Sequence, residues 1–169
     1  FPFPVPSVGG GPPIVGNDCL LMISSHVAHD CVIEDEVIIG NNVLLAGHAL
    51  IESQAIITVG AAINHFVTLA TLAMAGGMSR IMKDVPPYLV AEGSPARLRA
   101  VNSVGLRRRE KSREAVSQLR DAYRRLFSND APTVLAIQEM EALGDLQPET
   151  MRLLAFLRDM ERGYQGRYR

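Results

Sequence analysis

Apolar residues recur at every sixth position through the first half of the chain. From Val15 the series runs Leu21, Val27, Ile33, Ile39, Leu45, Ile51, Ile57, Ile63, Leu69, Ala75 and Ile81 without a slip. Four places after each stands a small or β-branched residue: Cys19, Ser25, Cys31, Val37, Val43, Ala49, Ala55, Ala61, Val67, Ala73, Ser79 and Val85. No helix produces this pattern, because its period is about 3.6 residues. A period of six suits a flat-sided coil. Each hexad is a short strand and a turn, with one apolar residue pointing inward and one small residue near a corner. Coils of this kind stack into a parallel β-solenoid at roughly 4.8 Å, the strand-pairing distance.

The repeat stops near Val85-Pro86-Pro87, where two prolines cannot donate to a ladder. Beyond it, Gly, Pro and Arg follow with no clear period and read as a connection. From Ser112 the pattern is helical. Ser112 caps, and Ala115, Leu119, Ala122, Tyr123 and Leu126 form one apolar stripe. A second helix is predicted over Pro132 to Leu143. A third starts near Pro148, with Met151, Leu154, Phe156, Leu157 and Met160 for packing and Gly163 as its stop. The reading is therefore mainly β. A loop spans 1–13, the solenoid 14–87, a connecting segment with a basic patch 88–111, and a small C-terminal α-helical domain 112–169.

The hexads resemble those of the hexapeptide-repeat proteins. That resemblance implies what spacing alone does not: a triangular, left-handed β-helix with three hexads per coil. Twelve hexads then make about four coils. Eighteen residues become a ruler. His29 plus 18 is Gly47 and Gly47 plus 18 is His65, so these three share one column; Asp30 and His48 share another. His26 lies at the neighbouring edge.

Imidazole is a general base near neutral pH, and an adjacent carboxylate fixes its tautomer. Gly47 has no side chain to block a ligand, and its N–H can face a developing oxyanion. Base, orienting acid and oxyanion donor are what acyl transfer to a hydroxyl requires. Neither Ser nor Cys stands in a nucleophile-elbow context, so direct attack by the acceptor is simplest. Zinc is the rival for such a histidine cluster. The run Gly9-Gly10-Gly11 lacks a following Lys-Ser/Thr and reads as a plain loop. Arg107, Arg108, Arg109, Lys111 and Arg113, with Arg97 and Arg99, form the strongest basic patch, suited to phosphates or an acidic carrier.

Composition narrows the setting. The chain has 169 residues, a formal net charge of −1 and 47% hydrophobic residues, so it is globular and shows no general attraction to nucleic acid. Its two cysteines fit inert packing and a cytoplasmic location rather than a disulfide framework. No segment is long and apolar enough to span a bilayer. The first residue is Phe1, from which a fragment or processed product is expected.

The segments L-L-M-I-S-S-H-V-A-H-D-C, L-L-A-G-H, M-A-G-G-M-S, D-V-P-P-Y and V-G-L-R-R-R resemble the UDP-N-acetylglucosamine O-acyltransferase family in order and spacing, from Gly16 to Tyr123. The resemblance implies transfer of an (R)-3-hydroxyacyl group from acyl carrier protein to the glucosamine 3-hydroxyl of UDP-N-acetylglucosamine, the first step of lipid A biosynthesis. His29 matches the general base, Asp30 its support and Gly47 the oxyanion donor. His26, His48, Asn102, Arg108 and Arg109 match positions that line the substrate cleft or meet the phosphates and carrier. Met74 and Gly77 match the region limiting acyl-chain length. No metal and no cofactor are implied, since 4′-phosphopantetheine arrives on the carrier protein. The family forms homotrimers with each site between two subunits.

Asn64-His65-Phe66 stands where the family has His-Gln-Phe, so a sugar or donor contact at Asn64 and His65 is moved by one residue. Ser94-Pro95-Ala96 replaces Asn-His-Ala. The family also has further coils before Gly16 carrying part of the acceptor site, so an N-terminal truncation and a loss of turnover in this segment alone are expected. The alternatives are a related sugar O- or N-acyltransferase, a metal-dependent solenoid hydratase and a non-catalytic trimeric scaffold.

Overall fold

The computed structural model describes residues 10–127 and 133–162. Residues 1–9, Pro132 as a helix start and Gly163 as a helix stop lie outside them. Twelve two-residue strands follow one another at six-residue intervals: β1 (Ile14–Val15), β2 (Leu20–Leu21), β3 (His26–Val27), β4 (Val32–Ile33), β5 (Ile38–Ile39), β6 (Leu44–Leu45), β7 (Leu50–Ile51), β8 (Ile56–Ile57), β9 (Ala62–Ile63), β10 (Thr68–Leu69), β11 (Met74–Ala75) and β12 (Arg80–Ile81). Each of β1 to β9 pairs in parallel with the strand 18 residues on, as in Ile14↔Val32, Val32↔Leu50 and Leu50↔Thr68. Three sheets result: β1-β4-β7-β10, β2-β5-β8-β11 and β3-β6-β9-β12. Three flat sides and an 18-residue step make a triangular prism of four coils.

The second residue of each strand points into the prism. From Ile33 to Ile81 these residues are at most 2% exposed, and the small corner residues from Cys31 to Val85 are equally dry. Packing at this density leaves no room for larger side chains. In the first coil Val15 and Leu21 remain 41% exposed, because nothing among the described residues stacks on that side.

Each turn passes through one left-handed residue, again at a period of six: Asp18, Ser24, Asp30, Glu36, Asn42, His48, Gln54, Gly60, Phe66, Leu72 and Met78, with φ of 53–67°. For a non-glycine residue this conformation costs about 1–2 kcal/mol. The ladder offsets it, because these corner amides donate to the preceding coil: Asp30 to Gly11 O at 2.8 Å, His48 to His29 O at 3.1 Å and Phe66 to Gly47 O at 3.3 Å. Carboxylates cap corners on the same 18-residue step. Glu34 accepts from Ser53 N and Oγ, and Glu52 accepts from Thr71 N and Oγ1.

The segment expected to connect the solenoid to the helices contains a hairpin that extends the second sheet. β13 (Leu89–Gly93) pairs in parallel with β11 at Met74↔Val90, and β14 (Ala96–Val101) returns antiparallel to it. The registered step there is 16 residues rather than 18, which is why the hexad ruler loses it. The two prolines stand in the turn before β13 and interrupt no strand.

Four helices follow: α1 (Ser103–Arg108), α2 (Arg113–Phe127), α3 (Thr133–Ala142) and α4 (Pro148–Glu161). Ser112 Oγ caps α2 by accepting from Ala115 N at 3.0 Å. The stripe from Ala115 to Leu126 is buried, while Tyr123 is half-buried and donates its hydroxyl to Leu98 O at 3.1 Å. In α4 the expected Leu154, Phe156 and Leu157 are buried together with Leu153, whereas Met151 is 51% exposed. The helical core includes Leu72, Tyr88 and Leu89, so it is continuous with the end of the solenoid. Arg152 adds a double hydrogen bond to buried Glu52 at 3.0 and 3.1 Å. No helix of the described residues is long and apolar enough to cross a membrane.

Candidate active site

The turn between β3 and β4 brings His29 and Asp30 to the edge between the third and first sheets. His29 Nδ1 lies 2.8 Å from Asp30 Oδ2. An ionised carboxylate can only accept, so the Nδ1–H donates and Nε2 keeps its lone pair. One coil on, Gly47 is buried beneath the ring. A Cβ there would stand 2.6 Å from His29 Cε1 and 2.8 Å from Nε2. The bare glycine is therefore a steric requirement of the imidazole's position. The Gly47 N–H has no hydrogen-bond acceptor among the described residues.

Asp30 is held on its other side as well. Its Oδ1 accepts from Gly11 N at 2.5 Å. A Cβ on Gly11 would lie 2.9 Å from that oxygen, and one on Gly10 would collide with Asp30 and His29. Gly10 and Gly11, of the run expected to be a plain loop, thus cradle the carboxylate. Sequence reasoning missed this, although the signal was present: His29 minus 18 is position 11. The His29 hydrogen bond, then the Gly11 amide, hold the Asp30 carboxyl below its ordinary value of 3.8, and the neighbouring imidazoles act in the same direction.

His48 sits one coil above Asp30. Its Nε2 is 3.7 Å from Asp30 Oδ2, and its ring meets that of His29 edge-on at 5.2 Å. Phe66, one coil further, stacks on His48 at 4.6 Å and 7° between planes. This aromatic support was also missed. Ligating atoms of His29, Asp30 and His48 all lie within 4.8 Å of one another. From this edge an open hollow of about 430 Å³ runs over the third sheet, lined by His26, His29, Gly47, Asn64, His65 and Arg80 among others.

The remaining expected residues are not on this edge. Met74 is in β11 on the second sheet, and Gly77 is exposed at the far edge of the third. Asn102 is 5% exposed, accepts from Gly105 N at 2.9 Å as the cap of α1, and donates to Leu72 O at 2.9 Å. Both halves of its amide are committed to structure, so within this chain Asn102 anchors a helix rather than facing a cleft. Arg109 forms an ion pair with Glu36, whose carboxyl is lowered by Gln54 and then by Arg109. Arg108 is exposed on α1. Asn102 and Arg109 thus attach to the edge between the first and second sheets, across the prism from His29.

Residues 84–165 match the family model for UDP-N-acetylglucosamine O-acyltransferase, domain 2. Residues 12–47 match that for the bacterial transferase hexapeptide. The acyl-[acyl-carrier-protein]–UDP-N-acetylglucosamine O-acyltransferase of Synechocystis is 49% identical over 126 residues, covering 75% of this chain and 46% of that protein. The enzyme of the same name from Gloeothece citriformis is 43% identical, covering 85% and 51%. The solved UDP-N-acetylglucosamine acyltransferase of Bacteroides fragilis superposes with a TM-score of 0.83 at 36% identity, covering 86% of this chain and 57% of that one. The chain spans about half the length of the curated relatives it matches.

Proposed function

Over the residues matched, the chain belongs to the UDP-N-acetylglucosamine O-acyltransferase family, and from that premise we propose that it carries the acyl-transfer centre of such an enzyme. The reaction moves an (R)-3-hydroxyacyl group from acyl carrier protein to the 3-hydroxyl of UDP-N-acetylglucosamine, the first step of lipid A biosynthesis. One observation carries the reading: an imidazole tied through Nδ1 to a carboxylate lies with its basic nitrogen against a bare glycine of the next coil.

His29 Nε2 takes the proton of the sugar hydroxyl as the oxygen attacks the thioester carbonyl. Asp30, ionised and doubly held, stabilises the imidazolium that forms. The Gly47 N–H donates to the carbonyl oxygen as it gains charge. Collapse expels the phosphopantetheine thiolate, which takes the proton from His29. His48, His65 and Asn64 stand along the hollow to position the sugar and the donor. Because the hollow is open, a neighbouring subunit of a homotrimer closes it. The setting is cytoplasmic, where the carrier protein is found.

The test assays the whole gene product with hydroxyacyl carrier protein and UDP-N-acetylglucosamine. His29→Ala should lower kcat by ~10²–10⁴-fold. An unchanged rate in that variant would remove His29 from its role. Asn64 in the hollow favours a second reading, a related transferase with another sugar acceptor, and turnover only with a different nucleotide sugar would establish it. Retention of acyl transfer after chelation separates both from a metal-dependent hydratase.

A further inference from the structure

Three groups around the proposed base have the makings of a second, opposing function. His29 Nδ1 lies 2.8 Å and His48 Nε2 3.7 Å from Asp30 Oδ2, and one ligating atom of each residue lies within 4.8 Å of the other two. Tetrahedral zinc holds nitrogen and oxygen ligands at about 2.0–2.1 Å, so its donors stand roughly 3.3 Å apart. The observed separations bracket that value. All three groups are side chains at a solvent-facing edge, where they can adjust, with relative exposures of 47%, 27% and 41%.

The surroundings resemble a metal site's outer layer. Gly11 N–H holds the other carboxylate oxygen of Asp30, and Phe66 stacks flat on His48 and restricts its rotation. Supports of this kind normally fix ligand orientation and strengthen metal binding. The solvent-facing edge, with the open hollow beside His29, leaves room for a water as fourth ligand. Two imidazoles and one carboxylate suit zinc or its neighbours rather than magnesium or calcium.

We propose that His29, Asp30 and His48 form an inhibitory site for a divalent transition metal of the zinc class. Binding would use the Nδ1 lone pair of His29, the atom that otherwise carries the proton shared with Asp30. The neutral ring must then hold its proton on Nε2. That nitrogen becomes a donor, and no lone pair faces the acceptor hydroxyl. No proton is gained or lost overall, since the metal and the Nδ1 proton exchange places and the proton returns at Nε2. A single event thus removes the base, its orienting acid and the adjacent His48. The inhibition, though not the binding, rests on the acyl-transfer reading.

Cobalt(II) serves as a spectroscopic probe on metal-free protein without acyl donor. Titration should saturate at one cobalt per chain, with the intense visible bands of four-coordinate cobalt, and zinc should displace it. His48→Asn keeps a residue that tolerates φ of 62° and removes the ligand, so it should abolish the bands. Asp30→Asn provides the same test at a second position. In parallel, stoichiometric zinc should suppress acyl transfer by at least ~10²-fold, the lower end of what loss of a general base costs, and a chelator should restore it. Absence of cobalt binding, or bands that persist in both variants, would overturn the site. Cobalt binding with acyl transfer indifferent to zinc would overturn the inhibitory role. Absence of acyl transfer in the metal-free protein counts against the acyltransferase reading and leaves the binding result to stand alone.

Discussion

At the residue scale, the candidate site depends on what is missing as much as on what is present. Gly47 and Gly11 stand one coil on either side of His29 in the same column. Gly47→Ala places a methyl 2.6 Å from His29 Cε1. The ring can swing out toward solvent, so we expect thermal stability to stay close to wild type while kcat falls by about 10²-fold, the cost of a ~1 Å misplacement. Steady-state kinetics and a melting curve on the same preparation check both halves. Gly77 is the opposite case. It has ordinary backbone angles, and a Cβ there would meet only Val59 and Thr58 atoms at 3.6–3.7 Å. Gly77→Met is therefore tolerated by the fold and should shorten the preferred acyl chain. An unchanged chain-length profile among carrier-protein donors would refute that. His29, Gly47 and the Asp30–His48 pairing were legible in the sequence, because an 18-residue ruler is enough to find them. Asn102 was not. A polar residue before a helix is equally consistent with a cap or a ligand contact, and only its two hydrogen bonds decide between them.

At the element scale, the joints among the helices are polar as well as apolar. Lys111, between α1 and α2, donates to Glu149 at the start of α4 at 2.9 Å. Burial raises the Glu149 carboxyl, but the Lys111 ammonium and the residue's own backbone N–H together more than offset it, and the group ends below its ordinary 4.5. A carboxyl lowered by folding stabilises the native state above its unfolded value, and this contribution disappears as pH falls through the lower, folded value. Glu149→Gln should therefore cost about 1 kcal/mol at neutral pH and almost nothing well below pH 4.5. Denaturant unfolding at the two pH values measures the difference. Helices α2 and α4 were legible because Ser112, the cap of α2, and Pro148, at the first position of α4, are followed by apolar stripes. The β13–β14 hairpin was not, because its strands follow no hexad and its pairing step differs from that of the coils.

At the scale of the whole molecule, the prism keeps its apolar face inside yet leaves Leu44 53%, Val59 51% and Phe66 43% exposed along and beside the third sheet. The hollow that holds His29 lies on that sheet, open to one side. A homotrimer would cover these side chains and close the hollow in one step, since the same surface repeats on each copy. Light scattering on the protein in solution should give three times the chain mass. A monomer that still transfers acyl groups at full rate would contradict the shared-site arrangement.

The sequence alone determined the rod and the contents of one of its edges. A six-residue hydrophobic period admits only short strands and turns, and a uniform step aligns residues that are 18 apart regardless of what else they touch. What the tertiary structure decided were contacts outside that lattice. The capture of Asn102 by Leu72 and the pairing of Arg109 with Glu36 join segments whose spacing follows no period. Such contacts arise from the paths of turns and connections, and these become visible only once the coils are stacked.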